Sequence, residues 1–188
     1  MTITEPHAAQ GVETPPSTRV PWSVWVTRHR VPAALLAGLV ATHMATIVGY
    51  FLPGVGLPKL DWNIVNGAVY TPGASRLAQF VSGGFFHYVD GIVFTLVFVV
   101  AVHPRLPWRD SAAGNLAKAL VFGTALALVS VMFMTPRVYG PALGADAGFF
   151  SLHFGWKFVV SVFVWHLVYA VHLGLIYNPS AQSPNTER

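Results

Sequence analysis

The sequence predicts an all-α polytopic membrane protein: a bundle of four transmembrane helices with two ordered outer loops. Three observations lead there. Charged residues make up only 10% of the 188, against about 25% in soluble domains, while 54% are hydrophobic and the mean hydropathy is +0.55. Four apolar segments each reach the roughly 20 residues that a helix needs to cross the hydrocarbon layer. These runs are continuous rather than alternating, which favours helices over barrel strands where lipid leaves no backbone group to water.

The elements follow in order. Residues 1–30 are polar and carry Pro15, Pro16 and Pro21; they read as a cytoplasmic N-terminal tail. No signal-peptide pattern precedes the first apolar run. The transmembrane domain covers 31–178, with spans at about 32–52, 80–102, 113–134 and 154–177, and residues 179–188 form a cytoplasmic C-terminal tail. Between the spans lie a short basic loop, His103 to Asp110, and two long Gly- and Pro-rich loops, 53–79 and 135–153. The aromatic and aliphatic residues of these long loops predict ordered caps on the membrane.

Seven of the eleven Lys and Arg side chains (Arg19, Arg28, Arg30, Arg105, Arg109, Lys118 and Arg188) fall on the side of the termini. By the positive-inside rule that side is the cytoplasm, so both termini are expected inside, in a cell inner (plasma) membrane. Trp22, Trp25 and Trp108 near one boundary, and Trp62, Tyr70, Tyr139 and Trp156 near the other, read as interfacial anchors. The lipid bilayer is thus the first partner. No basic run carries the aromatic interleaving of a nucleic-acid surface, so nucleic acid is not expected.

Five ionisable residues fall inside the spans: His43, His87, Asp90, His166 and His172. Hydrocarbon does not solvate such groups, so each is a candidate for function. From a rise of about 1.5 Å per residue, His43, His87, Asp90 and His166 lie between roughly 11 and 18 Å deep, in one layer of the outer half of the bilayer. His87 and Asp90, three residues apart, share a helix face beside Gly83, Gly84 and Gly91. His172 lies deeper and on another face. Asp90 in mid-span costs about 2.5–3.5 kcal/mol on insertion scales and needs a partner; His87 is nearest in sequence.

Three imidazoles and a carboxylate suit copper, iron or zinc, with His43, His87, Asp90 and His166 as candidate metal ligands. Haem b is the other version, with two axial histidines drawn from His43, His87 and His166; His103 and His172 could hold a second. The alternative is a hydrogen-bonded polar core that fixes helix register. The chain has no cysteine, which excludes disulfides, iron–sulfur clusters and covalent c-type haem. Met44, Met132 and Met134 read as packing; Gly38, Gly49, Gly123 and Ala127 read as close helix contacts.

P-loop, GxSxG, HExxH and GxGxxG patterns are absent, and no inverted repeat suggests a stand-alone transporter. Two function classes remain. One is a small subunit of a larger membrane complex whose His/Asp cluster binds a redox metal or haem for electron or proton transfer, accessory to a membrane oxidoreductase. The other is a structural subunit. Gly38 to Pro53, His87 to Gly91, Pro136 to Gly140, His166-Leu-Val-Tyr169 and Gly174-Leu-Ile-Tyr177 together resemble uncharacterised YagU-like four-span bacterial inner-membrane proteins. That resemblance implies a helical inner-membrane protein and supplies no reaction.

Overall fold

A computed structural model describes residues 20–180. The outer parts of both polar tails, with His7, Arg19 and Arg188, lie outside the described residues. The described residues are mostly helical and include no strand, with seven α-helices: α1 (Trp22–Arg28), α2 (Arg30–Phe51), α3 (Trp62–Tyr70), α4 (Arg76–Val97), α5 (Ala112–Val129), α6 (Gly140–Ala142) and α7 (Trp156–Ile176). Tighter or wider turns lengthen several of them. Four helical stretches are long and apolar enough to cross a membrane: Arg30–Val55, Arg76–Arg105, Ala112–Ala142 and Trp156–Ile176.

Local chemistry sets the helix starts. Asp61, Ser75 and Ser111 are N-caps of α3, α4 and α5, and their side chains accept from the amides of Ile64, Ala78 and Gly114. Each cap satisfies an amide that the first turn leaves free. Part of the leader is helical as well. Trp22 Nε1 donates to the Ile176 carbonyl at 2.9 Å, and the Ser180 amide donates to Thr27 Oγ1 at 3.1 Å. Helix α1 is thereby tied to the end of α7, and both described ends of the chain lie on the same side of the bundle.

The spans pack in the spatial order α4, α2, α7, α5. Small residues make the contacts close. A Cβ on Gly38 would come within 2.9 Å of Ile92 Cα, and one on Gly123 within 2.8 Å of the His166 carbonyl. The tightest crossing joins α3 to α4, where a Cβ on Gly83 would overlap the Asn63 carbonyl and stand 2.8 Å from Gly67 Cα. The first long loop therefore holds a helix pressed against the second span.

Two spans contain wide, π-helical turns, Phe98–Val102 and Ser130–Tyr139, each associated with a proline. In i→i+5 winding the carbonyl of Val99 faces residue 104 and that of Val131 faces residue 136. Both positions are proline, which has no N–H to give. Side chains replace the missing donors: Arg30 Nη2 donates to the Val99 carbonyl at 3.2 Å, and Ser151 Oγ to the Val131 carbonyl at 2.8 Å. Water is not available for that role in hydrocarbon. Ser151 is fully buried and sits with Phe150 in the left-handed region, at φ 58° and 54°. Such strain persists only where surrounding contacts hold it.

The sequence places the end of the third span near Met134; the structure carries it to Ala142. The wide winding is what lets a helix pass Pro136.

Candidate functional site

Spans two and three touch at the end bearing the termini, where α5 meets the Phe98–Arg105 extension of α4. Toward the opposite end they diverge, and α3 bridges the gap by contacting both α4 and the wide turn after α5. Helix α7 forms the back wall. These elements enclose a cavity of about 290 Å³. Phe94, Val129 and Phe133, all exposed, stand among its lining residues on the two diverging spans, so the mouth faces lipid sideways.

The lining is largely aromatic: Trp62, Phe94, Phe133, Tyr139, Trp165 and Tyr169. Polar groups are few, namely Asn66, His87, Asp90, Ser130 and His166, with no lysine or arginine among the described residues. Trp165 lies at the centre. Its ring centroid is 5.4 Å from that of His87, 4.9 Å from that of His166 and 5.8 Å from that of Trp62. The Tyr169 hydroxyl donates to the Gly91 carbonyl at 2.7 Å and accepts from Thr95 Oγ1 at 2.6 Å, which fixes that ring.

Hydrogen bonding sets the tautomers of the two histidines. Thr46 Oγ1 donates its one proton to the Thr42 carbonyl at 2.7 Å, so it must accept from His87 Nε2 at 3.0 Å. That leaves the lone pair of a neutral His87 on Nδ1. His166 Nδ1 donates to the Val162 carbonyl at 2.7 Å, which leaves its lone pair on Nε2. Two imidazoles with opposite tautomers thus line one cavity.

Asp90 is held by donors from α3 rather than by His87. Tyr70 Oη lies 3.2 Å from Oδ1 and Asn66 Nδ2 lies 3.5 Å from Oδ2. Burial, followed by the adjacent carboxylate, raises the Tyr70 phenol above its usual range, so Tyr70 remains a donor. No cationic side chain pairs with Asp90 among the described residues. Three buried side-chain atoms around the cavity lack partners: Asn66 Oδ1, Trp62 Nε1 and Trp165 Nε1. Buried polar atoms are rarely left so, because each costs about 1–3 kcal/mol.

Of the residues singled out in the sequence, His87, Asp90 and His166 line the cavity together. His43 does not: it is exposed on α2 and bonds Tyr88 Oη through Nδ1 at 2.6 Å. Its depth matches the others, but its face turns away. His172 bonds the Val168 carbonyl at 2.8 Å. His103 is buried 3.0 Å from Asn115 Oδ1, beside the Lys118–Asp110 pair at 2.7 Å. Among the described residues no group of three or more His, Asp or Glu side chains is placed to hold a metal ion.

Sequence reasoning passed over Trp62, Tyr139 and Trp165. The first two read as interfacial anchors, yet Trp62 is buried against Tyr139 at 5.4 Å between ring centroids. Trp165 carried a usable signal: it precedes His166 in mid-span, far from either boundary. Trp156, by contrast, is exposed, as an anchor should be.

No family model matches this chain, and neither a curated protein nor a solved structure matches it.

Proposed function

We propose that the protein binds a small, ring-bearing amphipathic molecule that enters from the lipid between spans two and three, and that it does so as a subunit of a larger membrane assembly. One observation carries this reading: an aromatic cavity opening sideways to lipid keeps unpaired donors and acceptors on its wall. Ligand sites are mostly apolar with a few placed polar groups. Here Trp62 Nε1 and Trp165 Nε1 can donate, while Asn66 Oδ1, His87 Nδ1 and His166 Nε2 can accept. The two lone pairs could also take up a proton, which keeps proton handling within the same reading.

A redox ion or haem b fits these residues less well. Only two of the three candidate histidines reach the cavity, and they do not complete the set a single ion needs. An engineered cavity of ~150 Å³ holds one benzene, so about 290 Å³ suits roughly two rings rather than a porphyrin. A structural role is the second reading, favoured by the hydrogen bond of His87 to Thr46 on the neighbouring helix and by that of His166 to the Val162 carbonyl one turn earlier on its own helix.

The test is to purify the full chain in lipid nanodiscs and measure metal, haem absorbance and small molecules by mass spectrometry. The expected result is one retained small molecule without stoichiometric metal or haem, lost in Leu126→Trp, which fills the cavity. Stoichiometric metal or a haem band would overturn the reading in favour of a redox centre. Nothing bound, in protein from any membrane, would leave the structural role.

A further inference from the structure

We infer that the molecule held in this cavity is a small hydrophobic organic cation, a free ammonium compound, with Asp90 as its counter-ion. This rests on the cavity being a ligand site. Asp90 lines the cavity, and its neighbours are the neutral donors Tyr70 and Asn66. A carboxylate in mid-span calls for a positive partner, and the described residues supply none.

The acceptors of the remaining wall have the same preference, while the indole N–H groups of Trp62 and Trp165 are left for an acceptor elsewhere on the bound molecule. Asn66 Oδ1 is unpartnered on a residue only 2% exposed, and His87 and His166 each retain a lone pair. All three are acceptors, suited to N–H donors or to a positive end. Aromatic rings fill most of the other surface, and their faces attract cations, with ammonium groups recognised in such cages. An anionic amphiphile meets no lysine or arginine here. A zwitterionic lipid headgroup is disfavoured for the same reason, because no cationic side chain in the cavity pairs with its phosphate. The occupant is therefore a free amine or quaternary ammonium compound with about the bulk of two rings, one aromatic ring and the ammonium head together, admitted past Phe94 and Phe133.

The decisive comparison uses two probes of one shape. They are 4-fluorobenzyltrimethylammonium and its neutral carbon isostere, 1-fluoro-4-neopentylbenzene. Each is titrated by ¹⁹F NMR into full-length protein in phosphatidylglycerol nanodiscs, against empty discs. The cation is expected to bind roughly tenfold or more tightly than the isostere, as a desolvated cation–π site with a counter-ion implies. Asp90→Asn should reduce that preference several-fold, leaving only the part due to the aromatic faces. Asp90→Glu should retain it.

Equal binding of the two probes to the wild type would overturn the charge assignment and leave the cavity reading intact, and this comparison needs no variant to fold. A preference undiminished in Asp90→Asn would do the same. Binding of neither probe would overturn both readings. Displacement of the cation by added phosphatidylcholine would overturn the assignment to a free amine.

Discussion

A single threonine decides which nitrogen of His87 carries its proton. Thr46 Oγ1 is committed as a donor to Thr42, so only the Nε2–H tautomer satisfies it. His166, with a carbonyl at Nδ1, is the opposite tautomer. ¹⁵N spectra of histidine-labelled protein at neutral pH are expected to show His87 protonated on Nε2 and His166 on Nδ1. Identical tautomers would contradict the bonding scheme. Replacing Thr46 with valine keeps the shape and removes the acceptor. It should cost about 1–3 kcal/mol in thermal unfolding, and Thr46→Ser should restore most of it. The sequence revealed both histidines of this pair through their depth. The same reasoning admitted His43, because depth is a single coordinate. Its azimuth became visible only once α2 was packed, and the ring then pointed to Tyr88 on the lipid side. Asp90 was legible as an anomaly, but its partners Tyr70 and Asn66 come from a segment that read as a loop.

Among the elements, the wide turns and α3 distinguish this bundle from four plain helices. Ser151 stands in for the amide that Pro136 lacks, and this makes a specific non-additivity. Ser151→Ala should cost about 1–3 kcal/mol in the wild type, since it strands a buried carbonyl. In a Pro136→Ala background residue 136 regains an N–H for Val131, and the same substitution should cost less than half as much. Equal costs in both backgrounds would show that the two groups do not serve the same carbonyl. A second expectation concerns the α3–α4 crossing. Gly83→Ala drives a methyl into the Asn63 carbonyl and the Gly67 backbone, and should destabilise by about 1–3 kcal/mol or more. Gly54→Ala meets nothing within 4 Å and should stay within about 0.5 kcal/mol. Similar unfolding temperatures for the two variants would refute the close crossing. The four apolar runs were legible because hydrocarbon thickness sets their length. The wide winding was not, since Pro136 in sequence marks an end as readily as a bend, and the donor that lets the helix continue lies fifteen residues downstream in another loop.

At the scale of the molecule, four crossings place both described ends on one side, and the hydrogen bonds of Trp22 to Ile176 and of Ser180 to Thr27 hold them there. The expectation that the end with the termini is cytoplasmic rests on charge, not on packing. Arg28, Arg30, Arg105, Arg109 and Lys118 cluster at the end with the termini. The other end carries Lys59, Arg76, Arg137 and Lys157, of which Lys59 is paired with Asp61 at 3.0 Å, so the bias among the described residues is five against four. Because the chain has no cysteine, single cysteines can report topology with no background. Val20 and Trp108 are exposed at the end with the termini, Gly54 and Leu143 at the other. In right-side-out vesicles an impermeant maleimide is expected to label Gly54→Cys and Leu143→Cys directly, and Val20→Cys and Trp108→Cys only after permeabilisation. The reverse pattern would invert the orientation and keep the bundle. Labelling of Val20→Cys and Trp108→Cys from opposite faces would break the four-span topology itself. Since α3 and the Asp90 side of the cavity lie toward the Gly54 face, the expected pattern also places the cavity nearer the outer surface, where the proposed hydrophobic cation would first meet it from outside.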